Sequence, residues 1–159
     1  KLPQFYKVIL TAVTAATSNT SDRRYLTTIG GSITGDSSTD GINNSIYIGR
    51  PDGTNARQMY VEGIVKAAKV GAGADSNEYA VWEIAGFIRG PKNNDNMKNT
   101  TVVRKFGDTT YPDPVTDLAF GQEGSGNSAD HWWRLRVNPM ESDSLLWTAY
   151  LTCYVTDQP

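Results

Sequence analysis

Three segments in the C-terminal half of the chain hold all four of its tryptophans. They are Glu78–Arg89 (EYAVWEIAGFIR), His131–Asn138 (HWWRLRVN) and Leu145–Thr156 (LLWTAYLTCYVT). Each has the length of a strand and is rich in β-branched and aromatic residues. Each is bounded by Gly, Pro, Asn or Asp, which interrupt a ladder and open a turn. In Leu145–Thr156 the alternation is strict. Trp147, Ala149, Leu151, Cys153 and Val155 fall on one face, and Thr148, Tyr150, Thr152, Tyr154 and Thr156 on the other. A period of two belongs to a strand and not to a helix. The first face is expected in the core; the second suits solvent or another subunit. In His131–Asn138, Trp133, Leu135 and Val137 share the core side, while Trp132, Arg134 and Arg136 share the outer side. A Trp beside two Arg suits stacking or a subunit contact. Aliphatic Arg stems covering the edge of a half-buried Trp would give the same pattern.

The rest of the chain agrees with this class. Phe5–Thr14 (FYKVILTAVT) is a strong strand with apolar residues on both faces, which predicts cover on both sides. Arg24–Ile33, interrupted by Gly30 and Gly31, Ser45–Gly49, Thr100–Phe106 and Val115–Phe120 also read as strands. Ala56–Val70 carries a partial helical period, but Met59, Val61, Gly63 and Val65 alternate and Gly63 weakens a helix, so a strand is expected. Between these lie polar loops at Thr34–Asn44, Gly90–Asn99 and Gly121–Asp130, and turns at Arg50–Asn55, Gly71–Asn77 and Gly107–Pro114. Pro51-Asp52-Gly53 marks its turn by mechanism, since Pro presets φ and Gly accepts φ > 0. Roughly eight to ten antiparallel strands at regular spacing predict an all-β fold, a jelly-roll-like β-sandwich, with residues 1–159 as one domain. The first residue is Lys1 and not Met, which suits a fragment of a longer polypeptide.

Charge and chemistry narrow the function by exclusion. With 15 basic and 17 acidic residues there is no clustered positive charge for nucleic acid or an anionic membrane, so neither partner is expected. No apolar run is long enough to span a bilayer as a helix. The lone Cys153 cannot form an internal disulfide and reads as a buried small hydrophobe. The lone His131 rules out a two-histidine metal site within the chain and most histidine-based catalysis. Phosphate-loop, dinucleotide, zinc-protease and Cys-pair motifs are absent from the sequence. Asp36–Gly41 resembles the start of a calcium loop but lacks an acid at its third position, and Tyr47 stands where the closing Glu belongs. No catalytic residue, metal or cofactor is therefore expected. Among the acids, Glu83 is mid-strand; if its face is buried it needs a partner such as Arg104, Arg134 or Arg136.

Aromatic side chains are the best binding signal. Tyr47, Tyr60, Tyr111, Trp132, Tyr150 and Tyr154 offer flat faces to a sugar ring or a subunit, although such residues also serve as core or cross-strand pairs. The order of the C-terminal strands adds a resemblance. Ala80, Trp82, Glu83, Ile84, Gly86, Phe87 and Arg89 are followed by Thr101, Val102 and Val103, then by Asp108 and Thr109. Trp133, Leu135 and Val137 come next, and Leu146–Thr152 with Val155 and Thr156 closes the chain. This half, Tyr79 to Asp157, resembles a β-module of tailed-bacteriophage virion proteins: fibres, spikes and head-decorating proteins. The resemblance implies a non-enzymatic structural or receptor-binding part of an extracellular particle, self-associated as a trimer, bound to other virion proteins and presented to a host-surface glycan. The candidate contact surface is Trp132, Arg134, Arg136, Tyr111, Tyr150 and Tyr154. The alternative is a carbohydrate-binding module of a bacterial secreted enzyme.

Overall fold

The computed structural model describes residues 4–16, 24–28, 45–49, 57–71, 73–75, 77–89, 97–120 and 131–157. These form strands β1 (Gln4–Thr14), β2 (Arg24–Tyr25), β3 (Thr27–Thr28), β4 (Ser45–Gly49), β5 (Arg57–Lys69), β6 (Tyr79–Arg89), β7 (Met97–Gly107), β8 (Val115–Phe120), β9 (His131–Val137) and β10 (Leu145–Asp157). The described residues contain no helix. Ala56–Val70 is a strand, as its alternation and Gly63 predicted. The expected loop Gly90–Asn99 is shorter than its polarity suggested, because Met97–Asn99 already pair with β6. The expected features at Gly30–Gly31, Thr34–Asn44, Arg50–Asn55 and Gly121–Asp130, with the calcium-like Asp36–Gly41, lie outside the described residues.

All strand pairings are antiparallel. A six-stranded sheet runs β3-β1-β10-β5-β6-β7. In the second sheet β8 pairs along one edge of β9, while β2 and β4 divide the other edge, at Val137–Arg136 and Arg134–His131 respectively. The chain changes sheets between β2 and β3 at Leu26. That side chain is fully buried, and its N–H donates to the Leu135 carbonyl at 2.9 Å.

The core lies between the sheets. Leu10, Ala12, Met59, Val61, Val65, Trp82, Ile84, Trp147, Leu151 and Cys153 supply it from the large sheet, and Leu135 and Val137 from β9. Trp82 and Trp147 stack with centroids 5.4 Å apart and planes 22° from parallel. Each buried indole has a partner. Trp147 Nε1 donates to Thr14 Oγ1 at 3.1 Å, and Trp82 Nε1 donates to Asp113 Oδ1 at 2.6 Å. The face assigned to the core in Leu145–Thr156 is buried throughout. Trp133 lies on β9, with its side chain outside the described residues.

Two local features set the shape of the large sheet. β5 and β10 approach so closely at the Gly63–Leu151 pair that a Cβ on Gly63 would lie 2.0 Å from the Tyr150 carbonyl oxygen. Between β6 and β7 the register slips after Val81–Phe106, so that Trp82 pairs with Arg104 and Lys105 is the extra residue. Such a bulge lets neighbouring side chains face opposite ways. Arg104 turns inward over the Trp82 ring, 5.0 Å from its centroid, while Lys105 faces out and pairs with Glu83.

Candidate functional site

The outer face of the six-stranded sheet is the outstanding surface among the described residues. Alternation along each strand and the antiparallel registers sort it into rows that run across the strands. One end row is Phe5, Tyr154, Tyr60 and Phe87; the central row is Ile9, Tyr150, Ile64, Glu83 and Val103; the other end row is Val13, Leu146, Ala68 and Tyr79. Between them lie two more polar rows: Lys7, Thr152, Glu62, Ala85 and Thr101 on one side of the centre, and Thr11, Thr148, Lys66, Val81 and Phe106 on the other. Phe5 is 70% exposed, and Tyr150 and Tyr154 are 42% and 44% exposed. Soluble chains seldom leave so many large apolar side chains contiguous and open; a patch of this kind marks an interaction surface.

The polar groups of the face are tied to their neighbours. Tyr154 Oη donates to Glu62 Oε1 at 3.0 Å, and this bond holds the phenol above its ordinary pKa. Phe5 and Tyr60 flank the Tyr154 ring at 6.4 and 6.1 Å, making an aromatic ladder across three strands. Lys66 Nζ stands 5.4 Å from the Tyr150 ring centroid, a cation–π distance. Lys105 Nζ lies 3.2 Å from Glu83 Oε2. A groove of about 530 Å³ crosses the middle of the face, between Tyr60, Glu62, Ile64, Glu83, Thr101 and Val103.

Of the residues singled out in the sequence, Tyr150 and Tyr154 are on this face, and Tyr60 joins them. Tyr111 is not a surface residue. It is 2% exposed and belongs to the core. Gly107–Pro114 is a turn, as its sequence predicts, but it carries the Tyr111 ring into the core. Asp108 Oδ1 accepts from Thr110 N and Oγ1 at 2.8 and 2.7 Å, and Arg104 donates to the Asp108 and Tyr111 carbonyls. This grip turns the Tyr111 ring inward. Burial pushes its phenol pKa up, and its hydroxyl has no hydrogen-bond partner among the described residues. Arg136 is half-buried between β8 and β2, with its Nε buried and unpaired among the described residues. Trp132 and Arg134 lie on β9, and their side chains, like that of Tyr47, fall outside the described residues.

The condition raised for Glu83 is not met, since it is on the open face; it does form an ion pair, but with Lys105 and not Arg104, because the bulge carries Arg104 to the other side of β7. Arg104 instead bonds Asp113 at 2.7 Å. Phe5–Thr14 is covered on one side among the described residues: Leu10, Ala12 and Thr14 are buried, while Phe5, Ile9 and Val13 are exposed. Sequence reasoning also missed Ile9, Ile64, Val103 and Leu146 as members of a shared surface. Their alternation was visible, but their alignment depends on register, which the sequence does not print.

No protein-family model matches the chain, and no curated protein sequence matches it. Among solved structures it is similar to the crystal structure of Acinetobacter baumannii phage AM24 tailspike protein, at a TM-score of 0.38 and 10% sequence identity. The alignment covers 98% of this chain and 27% of that one, so the chain spans little more than a quarter of the tailspike's length.

Proposed function

We propose that this chain is a non-enzymatic structural module of a bacteriophage virion, a fibre or spike domain or a capsid decoration, that works by assembly. The observation that carries this is the open apolar face built from Phe5, Ile9, Tyr60, Ile64, Tyr150 and Tyr154, which suits burial against protein. The strand order from Tyr79 to Asp157, with its resemblance to virion β-modules, supports the particle as the setting. Partners in this reading are further copies of the chain, with a trimer the order implied by the resemblance, and other virion proteins. The test is antibody detection of the chain in density-purified particles of the phage whose genome encodes it. Presence in stoichiometric amount is expected. Its absence from intact particles would overturn the reading.

One observation favours a second reading, attachment to a glycan as a receptor-binding or carbohydrate-binding surface. The central groove combines an aromatic wall, Tyr60, with the hydrogen-bonding groups of Glu62, Glu83 and Thr101. Glycan-array binding lost on Tyr60→Ala would support it, and an unchanged profile would remove it.

A further inference from the structure

We infer that the outer face of the six-stranded sheet is self-complementary and pairs with the same face of a second copy about a two-fold axis. That axis lies in the interface, perpendicular to the strands, through the row Ile9–Tyr150–Ile64. This rests on the self-association reading above and gives it a geometry.

Apolar, polar, apolar, polar and apolar rows follow one another along the strands, so the pattern reads the same from either end. A two-fold perpendicular to the strands superposes opposite ends of each strand. The end row holding Tyr60 and Tyr154 then meets the partner's end row of Ala68 and Leu146, and the apolar central row meets itself. On β1, β10 and β5 large aromatic rings at one end thus face the smaller Val13, Leu146 and Ala68 at the other, the alternation of size that lets two layers interdigitate, while on β6 Phe87 meets the partner's Tyr79 ring to ring.

Charge selects this axis over the other one available. Glu62 and Lys66 are both exposed and stand on β5, the middle of the five strands that carry the face, two residues to either side of Ile64. Under the perpendicular axis Glu62 faces the partner subunit's Lys66, and Lys66 faces the partner subunit's Glu62, giving two reciprocal ion pairs. An axis parallel to the strands would set each of these charges against its own copy at the centre of the contact, which disfavours it. Glu83 lies on the axis row and meets the partner subunit's Glu83 under the perpendicular axis, a like-charge contact that the parallel axis would not make, but each is held by its own Lys105 at 3.2 Å and the contact is offset by the two reciprocal ion pairs.

The area is adequate. Eight residue steps from Phe5 to Val13 at about 3.4 Å, and five strands at about 4.8 Å, give a plan area of about 650 Å². Side-chain relief raises the accessible area above the plan, toward the ~800 Å² per partner of a standard interface. Two twisted sheets stack face to face at an angle of about 30°, a geometry a two-fold can generate. A contact made by one patch with its own copy is isologous and closes at two. The face therefore points to a pair, where the resemblance alone implied a trimer.

The experiment is sedimentation equilibrium on the full 17.4 kDa chain, on Glu62→Lys, on Lys66→Glu, and on an equimolar mixture of the two variants. The wild type is expected to be a dimer. Each variant alone places two like-charge pairs in the contact and should dissociate, its Kd raised at least about 100-fold. The mixture should restore dimers as heterodimers, because one chain then offers Lys at both positions and the other Glu at both. Near-UV circular dichroism of the stacked Trp82 and Trp147 checks that each variant is folded. Ile64→Arg and Ile64→Asp, each monomeric alone and paired on mixing, test the same axis at its centre. A wild-type trimer or monomer, a single variant that still dimerises as the wild type does, or folded variants that fail to pair on mixing would each overturn the inference. None of these results bears on whether the chain is found in virions, so failure of the geometry and failure of the virion reading are separable.

Discussion

Replacing Asp113 with alanine removes the acceptor on which the most deeply placed aromatic ring of β6 depends. Trp82 is fully buried, and its indole N–H donates to Asp113 Oδ1 at 2.6 Å. The same oxygen lies 2.7 Å from Arg104 Nη2. After the change Arg104 keeps the Asp108 and Tyr111 carbonyls. The Asp113 side chain is 63% exposed, so the lost ion pair contributes only about 0–1 kcal/mol. An indole N–H left unpaired in the core costs about 1–3 kcal/mol, and water entering beside the vacated side chain offsets part of it. The net expectation is about 2 kcal/mol, and at this chain length that lowers Tm by roughly 4–8 °C. Asp113→Asn keeps a carbonyl oxygen for the indole and loses only the charge, so under about 1 kcal/mol is expected. Urea unfolding followed by tryptophan fluorescence gives both values. The pH dependence supplies an internal control. The Trp82 hydrogen bond first, and then Arg104, hold the Asp113 carboxyl below the usual aspartate range. A carboxyl lowered on folding contributes stability that is present above its ordinary pKa and lost as pH falls through the folded one. The difference between wild type and Asp113→Asn should therefore shrink on acidification below about pH 4. An Asp113→Ala variant within about 0.5 kcal/mol of wild type, or one no worse than Asp113→Asn at neutral pH, would refute the reasoning.

Gly63→Ala should cost roughly 3 kcal/mol or more in the same urea assay, since its Cβ would lie 2.0 Å from the Tyr150 carbonyl oxygen and β5 and β10 would have to separate. Lys69 joins Glu78 at 2.9 Å and Asp143 at 3.1 Å, which raises its pKa from 10.5 to about 12 and lowers that of Glu78. The lysine contribution is fully present below its ordinary pKa and lost as pH rises through about 12; the glutamate contribution is present above its ordinary pKa and lost on acidification. Lys69→Met should flatten both limbs of a Tm-against-pH profile, and unchanged limbs would count against the cluster. Because the Glu62 carboxylate raises the Tyr154 phenol, Glu62→Gln should bring Tyr154 ionisation to lower pH, measured by NMR titration of the ring.

The sequence made β10 legible to within one residue of its end, because a strand with one buried face writes its period directly into its composition. β5 was legible through Gly63, which a helix would not favour and which the close approach of β10 requires. The turn at Gly107–Pro114 was legible as a turn, but the inward course of its Tyr111 was not, since Thr, Pro and Asp give no sign of which ring a turn carries into the core. What buries Tyr111 is the reach of Arg104 to two backbone carbonyls, an event set by the bulge at Lys105 and invisible to any local pattern.

The most instructive departure is β1. Its apolar residues on both faces predicted cover on both sides, yet among the described residues the side of Leu10, Ala12 and Thr14 is buried and that of Phe5, Ile9 and Val13 is exposed. The pattern records how much apolar surface must leave water and carries no information on which molecule removes it. The same holds across the sheet: Tyr60, Ile64, Leu146 and Tyr150 each belong to an alternating strand whose outer residues are more apolar than solvent requires. If the face pairs as inferred, the two-sided expectation for β1 is satisfied by a second copy, and the Glu62 and Lys66 charges beside Ile64 set the register of that contact as well as its strength. A dimer that survives both single charge reversals would separate these roles, leaving apolar burial without an electrostatic register and removing the reason to prefer this axis.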